Sequence, residues 1–274
     1  VLGLLHFGGA GTKWMTLLAG IGVIALLVLG DRKRIWNLPS LLLLGYAAFS
    51  WVTIFWAMSG KFHLREWSKI LIAVFFFLFV AMHKKFDGAF ARRVMGVIAG
   101  ISAIYALLSV EAVSTGFCNT LLRCFAIDIE KITFDGSRLN GIFGNANIEA
   151  SIYAIGIFCA VALVCGAERK WQRILFTVTL SVSAFAFLLV FSMGAIACFG
   201  AAVAVYLVCA GKGRCAVLLR MLSAAVPTLV CGFIAFALLN SERSALVLAL
   251  LLANAGVSAL LELTVSARLS AVLE

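Results

Sequence analysis

Charged residues and proline are both scarce in this chain of 274 residues. Asp, Glu, Lys and Arg together make up 12% of it, and there are 2 prolines. Soluble proteins carry about 25% charged residues. So little charge cannot cover the surface of a globule of this length, which excludes a soluble enzyme, a disordered chain and a disulfide-stapled secreted module.

Hydrophobic residues are correspondingly abundant. They form 64% of the chain, with 22 phenylalanines and a mean hydropathy of +1.12. A helix needs ~20 apolar residues to cross a bilayer. Runs of suitable character lie at 14–30, 38–58, 70–82, 94–113, 148–166, 174–191, 195–210, 221–239 and 245–263. The sequence therefore predicts an all-α, polytopic integral membrane protein with eight to nine transmembrane helices.

The last run is interrupted by Asn254 and Gly256. It fits a ninth span, and it also fits a helix that lies along the membrane interface.

The formal net charge of +10 at first suggests a nucleic-acid ligand, but its cations form short clusters between apolar runs. Counted by alternating loop, 14 of the 22 Lys and Arg residues fall on one side and 8 on the other. Positive loops stay in the cytoplasm. The distribution predicts a multi-pass membrane protein with the polar segment 114–147 facing outward, and no nucleic-acid partner.

Cysteine and histidine give no sign of a metal site. Six of the 8 cysteines lie in or beside apolar runs, where a thiol acts as a small hydrophobe. Cys118 and Cys124 share the polar segment, so both a disulfide and two reduced thiols remain open.

The chain starts without a Met or a signal peptide and stops at Leu273-Glu274 without a polar tail. We expect a single transmembrane domain over residues 1–274 that is a piece of a larger membrane protein.

One segment, at the end of 114–147, combines a cation, glycines and amides at the start of an apolar helix. Asn147 is a candidate N-cap, and the N–H groups and positive end of a helix favour anions. Arg138 adds a donor fork that matches phosphate. Gly141 and Gly144 let the backbone approach a ligand. The plainer interpretation is a loop entering a helix, with Arg138 extended to the lipid headgroups.

The pattern Arg138-x-x-Gly141-x-Phe-x-Asn145-Ala-Asn147 resembles the signature of the O-antigen ligase and polymerase superfamily, R-x-x-G-x-F-x-N-P-N. Members of that family are multi-helix membrane glycosyltransferases. They take a glycan from an undecaprenyl-pyrophosphate carrier at the outer face of the inner membrane and need no cofactor. The resemblance assigns Arg138, Gly141, Asn145 and Asn147 to substrate binding.

Three departures from the family pattern accompany this match. Ala146 stands where the family has proline, and Ser192-Met193-Gly194 stands where a later family motif reads Ser-Arg-Gly. The family's late outer loop with its histidine has no counterpart in the chain, and none of His6, His63 and His83 corresponds to it.

The resemblance implies transfer or polymerisation of a glycan, with Arg138 neutralising the departing pyrophosphate while Asn145 and Asn147 orient oxygens. The partners would be a lipid-linked donor, a glycan or lipid acceptor and membrane lipids. Secondary candidates share the predicted outer side and are Arg65, Lys69, Arg123 and Glu149. The plainer interpretation of each of the three cations is a solvated interfacial residue, and that of Glu149 is a partner of the helix dipole.

Two other classes remain open at this stage. A transporter or flippase of lipid-linked or anionic substrates would need charged or broken positions near mid-membrane. A catalytically inactive scaffold would suit the missing arginine and histidine.

Overall fold

The computed structural model describes residues 38–52, 88–119, 132–142, 145–209, 211–241 and 243–273, together with Ile21 and Val74. These residues belong to two compact units, divided in the sequence between Ala91 and Arg92. Apart from the two isolated positions, the predicted spans 14–30 and 70–82 lie outside the described residues.

The first unit contains helix α1 (Leu38–Val52), which coincides with the first part of the predicted run 38–58. Pro39 is its second residue. Proline is tolerated in the first turn because an N–H there has no partner within the helix.

The second unit is a helical bundle with one small hairpin. Its elements are α2 (Gly88–Ser114), β1 (Thr133–Phe134), β2 (Leu139–Asn140), α3 (Ala146–Cys165), α4 (Lys170–Val190), α5 (Met193–Cys209), α6 (Arg214–Leu239) and α7 (Leu246–Leu273). Among the described helices, α2, α3, α4, α6 and α7 are long and apolar enough to cross a membrane, whereas α5 is shorter. These are the helices of a multi-pass membrane protein. The predicted total of nine spans includes residues outside the described ranges and stays a prediction.

Helix α7 is continuous through the two residues that seemed to interrupt it. Asn254 is fully buried, and its amide donates to the Ser181 hydroxyl of α4 at 2.8 Å and to the Thr228 hydroxyl of α6 at 3.2 Å. A polar side chain that finds partners on neighbouring helices holds a membrane bundle together. The helix therefore packs against α4 and α6, and it is long and apolar enough to cross a membrane.

Close backbone approach and small hydroxyls join α2, α3 and α4. A Cβ on Gly156 of α3 would lie 2.1 Å from the Ser102 hydroxyl oxygen of α2, and Ser102 is hydrogen-bonded to Ser183 of α4 at 3.0 Å. Small residues at such interfaces let helices approach without voids. Any larger residue at Gly156 would separate α2 from α3.

Charged groups converge at one end of the bundle. Arg220 of α6 donates to the Val164 carbonyl of α3 at 2.6 Å and lies 3.7 Å from the carboxylate of Glu262 of α7. Arg92 lies 4.0 Å from Glu168 at this same end. The described helices therefore alternate in direction, in agreement with the assignment of alternate loops to opposite sides. That this end of the bundle faces the cytoplasm remains a prediction from loop charge.

Replacing Arg220 by Met should destabilise the protein by about 3–5 kcal/mol, because it leaves a buried carboxylate without its cation. The Arg220 side chain is 13% exposed and that of Glu262 is 0% exposed. Unfolding of the detergent-solubilised protein in increasing SDS measures the loss.

Arg214→Met, at an exposed cation on the same helix, is the matched control and should change little. The double variant Arg220→Met/Glu262→Met should recover most of the lost stability. Equal effects of Arg220→Met and Arg214→Met would show that the ion pair contributes nothing.

Candidate functional site

The segment with the family-like pattern spans strand β2, a connecting turn and the first turn of α3. Asn145 has extended backbone and caps α3, since its side-chain oxygen accepts the N–H groups of Asn147 and Ile148. The prediction that Asn147 is the N-cap is therefore wrong. The cap lies two residues earlier because Asn145 has the extended backbone, and its side chain accepts the first free N–H groups.

Asn147 has a different partner. Its side-chain oxygen accepts a hydrogen bond from the Ser192 hydroxyl at 2.8 Å. Ser192 is nearly buried, while Asn147 is exposed. The two residues are 45 positions apart in the chain, and their contact brings the Ser192-Met193-Gly194 turn to the first turn of α3.

The turn between α4 and α5 is tight and locally strained. Phe191 ends α4 with φ 43° and ψ 48°, the left-handed conformation, which a bulky residue seldom adopts. Ser192 then accepts the N–H of Ala195 through its hydroxyl and the N–H of Ile196 through its carbonyl. Helix α5 thus starts beside the start of α3, and two positive helix ends lie next to one another.

The guanidinium of Arg138 lies at the tip of the β1–β2 hairpin. Asp135, before the turn, accepts its Nε–H at 3.2 Å and its backbone N–H at 2.8 Å. The hairpin rests on the end of α6, where Phe134 meets Phe236 at 5.6 Å between ring centroids. The Arg138 side chain is 52% exposed. Sequence reasoning did not anticipate its pairing with Asp135, although a carboxylate three residues before a cation was the available signal.

Gly141 and Glu149 face one another. A Cβ built on Gly141 would lie 2.5 Å from the carboxyl carbon of Glu149. The open face of Gly141, expected to receive a ligand, is therefore occupied by a side chain of the protein itself. Glu149 is fully buried within the first turn of α3, as its predicted role beside the helix dipole allows.

The other predicted site residues cannot be placed. Arg65, Lys69, Arg123 and Gly144 lie outside the described residues, as does Cys124. Within the described ranges, Cys118 is a free thiol. No group of three or more His, Cys, Asp or Glu side chains in those ranges could hold a metal ion.

An apolar cavity of about 260 Å³ lies between helices α3, α4, α5 and α6. Its described lining includes Ile196 and Phe199 in the first turns of α5, Leu188 of α4 and Leu229 of α6. Thr228 supplies the polar atom in that lining. The cavity suits a hydrocarbon chain and lies close to the Asn147–Ser192 contact, because Ile196 is one turn from Ser192.

Comparison with known proteins gives no relative. No family model matches the chain, and no curated protein or solved structure matches it significantly.

The hairpin carboxylate should titrate at an unusually low pH. Hydrogen bonds from the Ser137 hydroxyl, then from the Ser137 and Arg138 N–H groups and the Arg138 guanidinium, lower the pKa of Asp135 from 3.8 to about 2. A lowered carboxyl pKa adds stability above the unfolded pKa of ~3.9, and this contribution is lost as the pH falls through about 2. Carbon NMR of the protein with labelled aspartate, in detergent micelles, would measure the pKa of Asp135.

Ser137→Ala should raise this pKa more than Arg138→Ala, since Ser137 supplies the larger interactions. Ser241→Ala, at an exposed serine that bonds a neighbouring carbonyl, should leave it unchanged. A pKa near 3.8 in the unmodified protein would contradict the hairpin geometry.

Proposed function

We propose that this protein is a membrane glycosyltransferase that transfers or polymerises a glycan from an undecaprenyl-pyrophosphate carrier at the outer face of the bacterial cytoplasmic membrane. The observation that carries the proposal is the 2.8 Å hydrogen bond between Asn147 and Ser192. It joins the two chain segments that correspond to separate motifs of the O-antigen ligase and polymerase superfamily.

The electrostatics of this junction suit a pyrophosphate. Helices α3 and α5 both begin there, and free N–H groups at helix starts attract anions. The Asn147 oxygen is engaged by Ser192, so its amide N–H2 is the part of the side chain suited to donate to a phosphate or sugar oxygen. Neutral donors of this kind recognise a charged ligand without the cost of burying a cation.

Arg138 supplies the cation of the motif. In the transfer, the acceptor hydroxyl oxygen bonds to the anomeric carbon and loses its proton to water or to the leaving group. The bond between the anomeric carbon and the pyrophosphate oxygen breaks, and negative charge accumulates on the leaving pyrophosphate. A guanidinium has five N–H donors, of which Nε–H is bound to Asp135. The remaining donors can bind the leaving group, where growing charge makes the interaction strongest.

The apolar cavity fits the lipid part of this donor. Its volume of about 260 Å³ accommodates a part of a long isoprenoid chain. Because Ile196 and Phe199 line it, a chain held there would place its headgroup near the start of α5.

A transporter is less well supported by the same helices. Within the described spans, Pro227 lies inside an unbroken α6, and the polar groups that join α4, α6 and α7 include the neutral Ser181, Thr228 and Asn254. Their hydrogen bonds are to each other, which is the arrangement of a structural contact between helices.

Arg138→Ala should weaken binding of undecaprenyl pyrophosphate at least about tenfold, since a charge-assisted hydrogen bond contributes ~1.5–3 kcal/mol. Arg138→Lys should recover little, because lysine lacks the planar fork. Two assays test this. Native mass spectrometry measures binding of the carrier to the protein in nanodiscs, and a radiolabelled lipid-linked donor in membrane vesicles measures glycan transfer.

Arg243→Ala is the matched control, since Arg243 is an exposed cation on the same predicted side and outside the motif. Loss of binding in both variants would indicate unspecific attraction to positive charge. Unchanged binding and transfer in Arg138→Ala would rule out its role at the pyrophosphate.

Asn147→Ala and Ser192→Ala should each impair binding, and the double variant should be little worse than either single one. Residues that act through one contact are non-additive. A double-mutant cycle on the dissociation constant tests this, with Thr264→Ala as control because the exposed Thr264 hydroxyl bonds a carbonyl of its own helix α7. Fully additive effects would separate Asn147 from Ser192 and remove the main support for a joint site.

A further inference from the structure

Glu149 is a costly residue to bury where it lies. It is one of the largest fully buried side chains of the described residues, and it belongs to an otherwise apolar helix long enough to cross a membrane. Acidic side chains in such helices are rare and have a specific role when they occur. The contacts of Glu149 indicate what that role is.

The first contact is steric. All three terminal atoms of the Glu149 side chain lie within 2.8 Å of the place that a Gly141 Cβ would occupy. Only glycine at position 141 admits the carboxyl so close to the backbone. Strand β2 and the first turn of α3 are therefore held at a separation set by the carboxyl itself.

The second contact links the carboxyl to the bundle. The Tyr153 hydroxyl donates to Ser109 of α2 at 3.2 Å, and the same hydroxyl lies against the Glu149 carboxyl. Tyr153 is fully buried and lies one turn after Glu149 on the same helix. The carboxyl is thus held from the bundle side, and it in turn supports the backbone at Gly141.

We propose that Glu149 is the positioning residue of this site. Its carboxyl, seated against Gly141 and in contact with Tyr153, fixes the separation between Gly141 and the first turn of α3. It thereby sets where Asn145 caps α3 and where Asn147 meets Ser192. The importance of this for ligand binding rests on the proposed function, because Asn145 and Asn147 are the residues assigned there to the carrier.

The geometry predicts a specific pattern of substitution effects. Gly141→Ala must displace the carboxyl from its place against Tyr153, whereas Glu149→Ala removes the side chain with which the new methyl group would collide. In the double variant the new methyl group has room, so it should be no worse than Glu149→Ala alone. Glu149→Gln keeps shape and hydrogen bonding and should resemble the unmodified protein.

Amide hydrogen exchange of the peptide covering 138–149, in the full chain in nanodiscs, is the primary test. Gly141→Ala and Glu149→Ala should each speed its exchange by roughly tenfold, as expected when a buried hydrogen bond is lost. Gly100→Ala is the control glycine, since nothing lies within 4 Å of its added Cβ. Asn254→Ala, which removes buried polar contacts elsewhere, should destabilise the bundle and leave this peptide's exchange relative to other peptides unchanged.

Binding of undecaprenyl pyrophosphate to the same variants separates the two proposals. Faster exchange together with weakened binding, both restored in Glu149→Gln, supports positioning of a ligand site. Faster exchange with unchanged binding upholds the positioning role and contradicts the proposed ligand. Unchanged exchange in both Gly141→Ala and Glu149→Ala, or additive effects in the double variant, overturns the inference whatever the binding shows.

Discussion

An apolar bilayer interior offers no hydrogen bonds, so every backbone N–H and C=O within it has to be satisfied by the protein itself. Everything described in the second unit is arranged around this requirement. Long helices satisfy their own backbones, and the chain leaves helical geometry where polar partners are at hand. One such place is the junction of the hairpin, the start of α3 and the start of α5. There Asn145 and Ser192 accept N–H groups that the helices cannot pair.

The same requirement governs polar side chains inside the bundle. Asn254 donates to Ser181 and Thr228, and Arg220 donates to a helix-end carbonyl and lies 3.7 Å from the carboxylate of Glu262. In a medium that solvates neither charge nor amide, each such group is tolerable because its partners lie on neighbouring helices. These contacts also specify which helices pack together. Uniform apolar surfaces would distinguish much less well between one neighbouring helix and another.

Individual residues show how far the candidate site could be predicted. Asn145 and Asn147 were correctly associated with a helix start. Asparagine is a good cap at either position, so the sequence does not show which of the two takes the extended backbone and caps the helix. Arg138 was predicted as a phosphate-binding cation, whereas its partner Asp135 depends on the turn that the hairpin adopts. Gly141 was expected to face a ligand, and Glu149 occupies that face because the fold brings the two together. The roles of these residues in binding remain proposals.

Composition and apolar run lengths by themselves determined the membrane class and the approximate positions of the described helices, because crossing a bilayer is a local demand on each segment. Loop charge predicted which helix ends belong together for the same reason. Tertiary structure alone decided that Asn147 meets Ser192, that Glu149 meets Gly141, and that Asn254 faces the bundle instead of interrupting a helix. These contacts join residues far apart in the chain or on different elements, and their geometry depends on how whole helices pack, which no local pattern records.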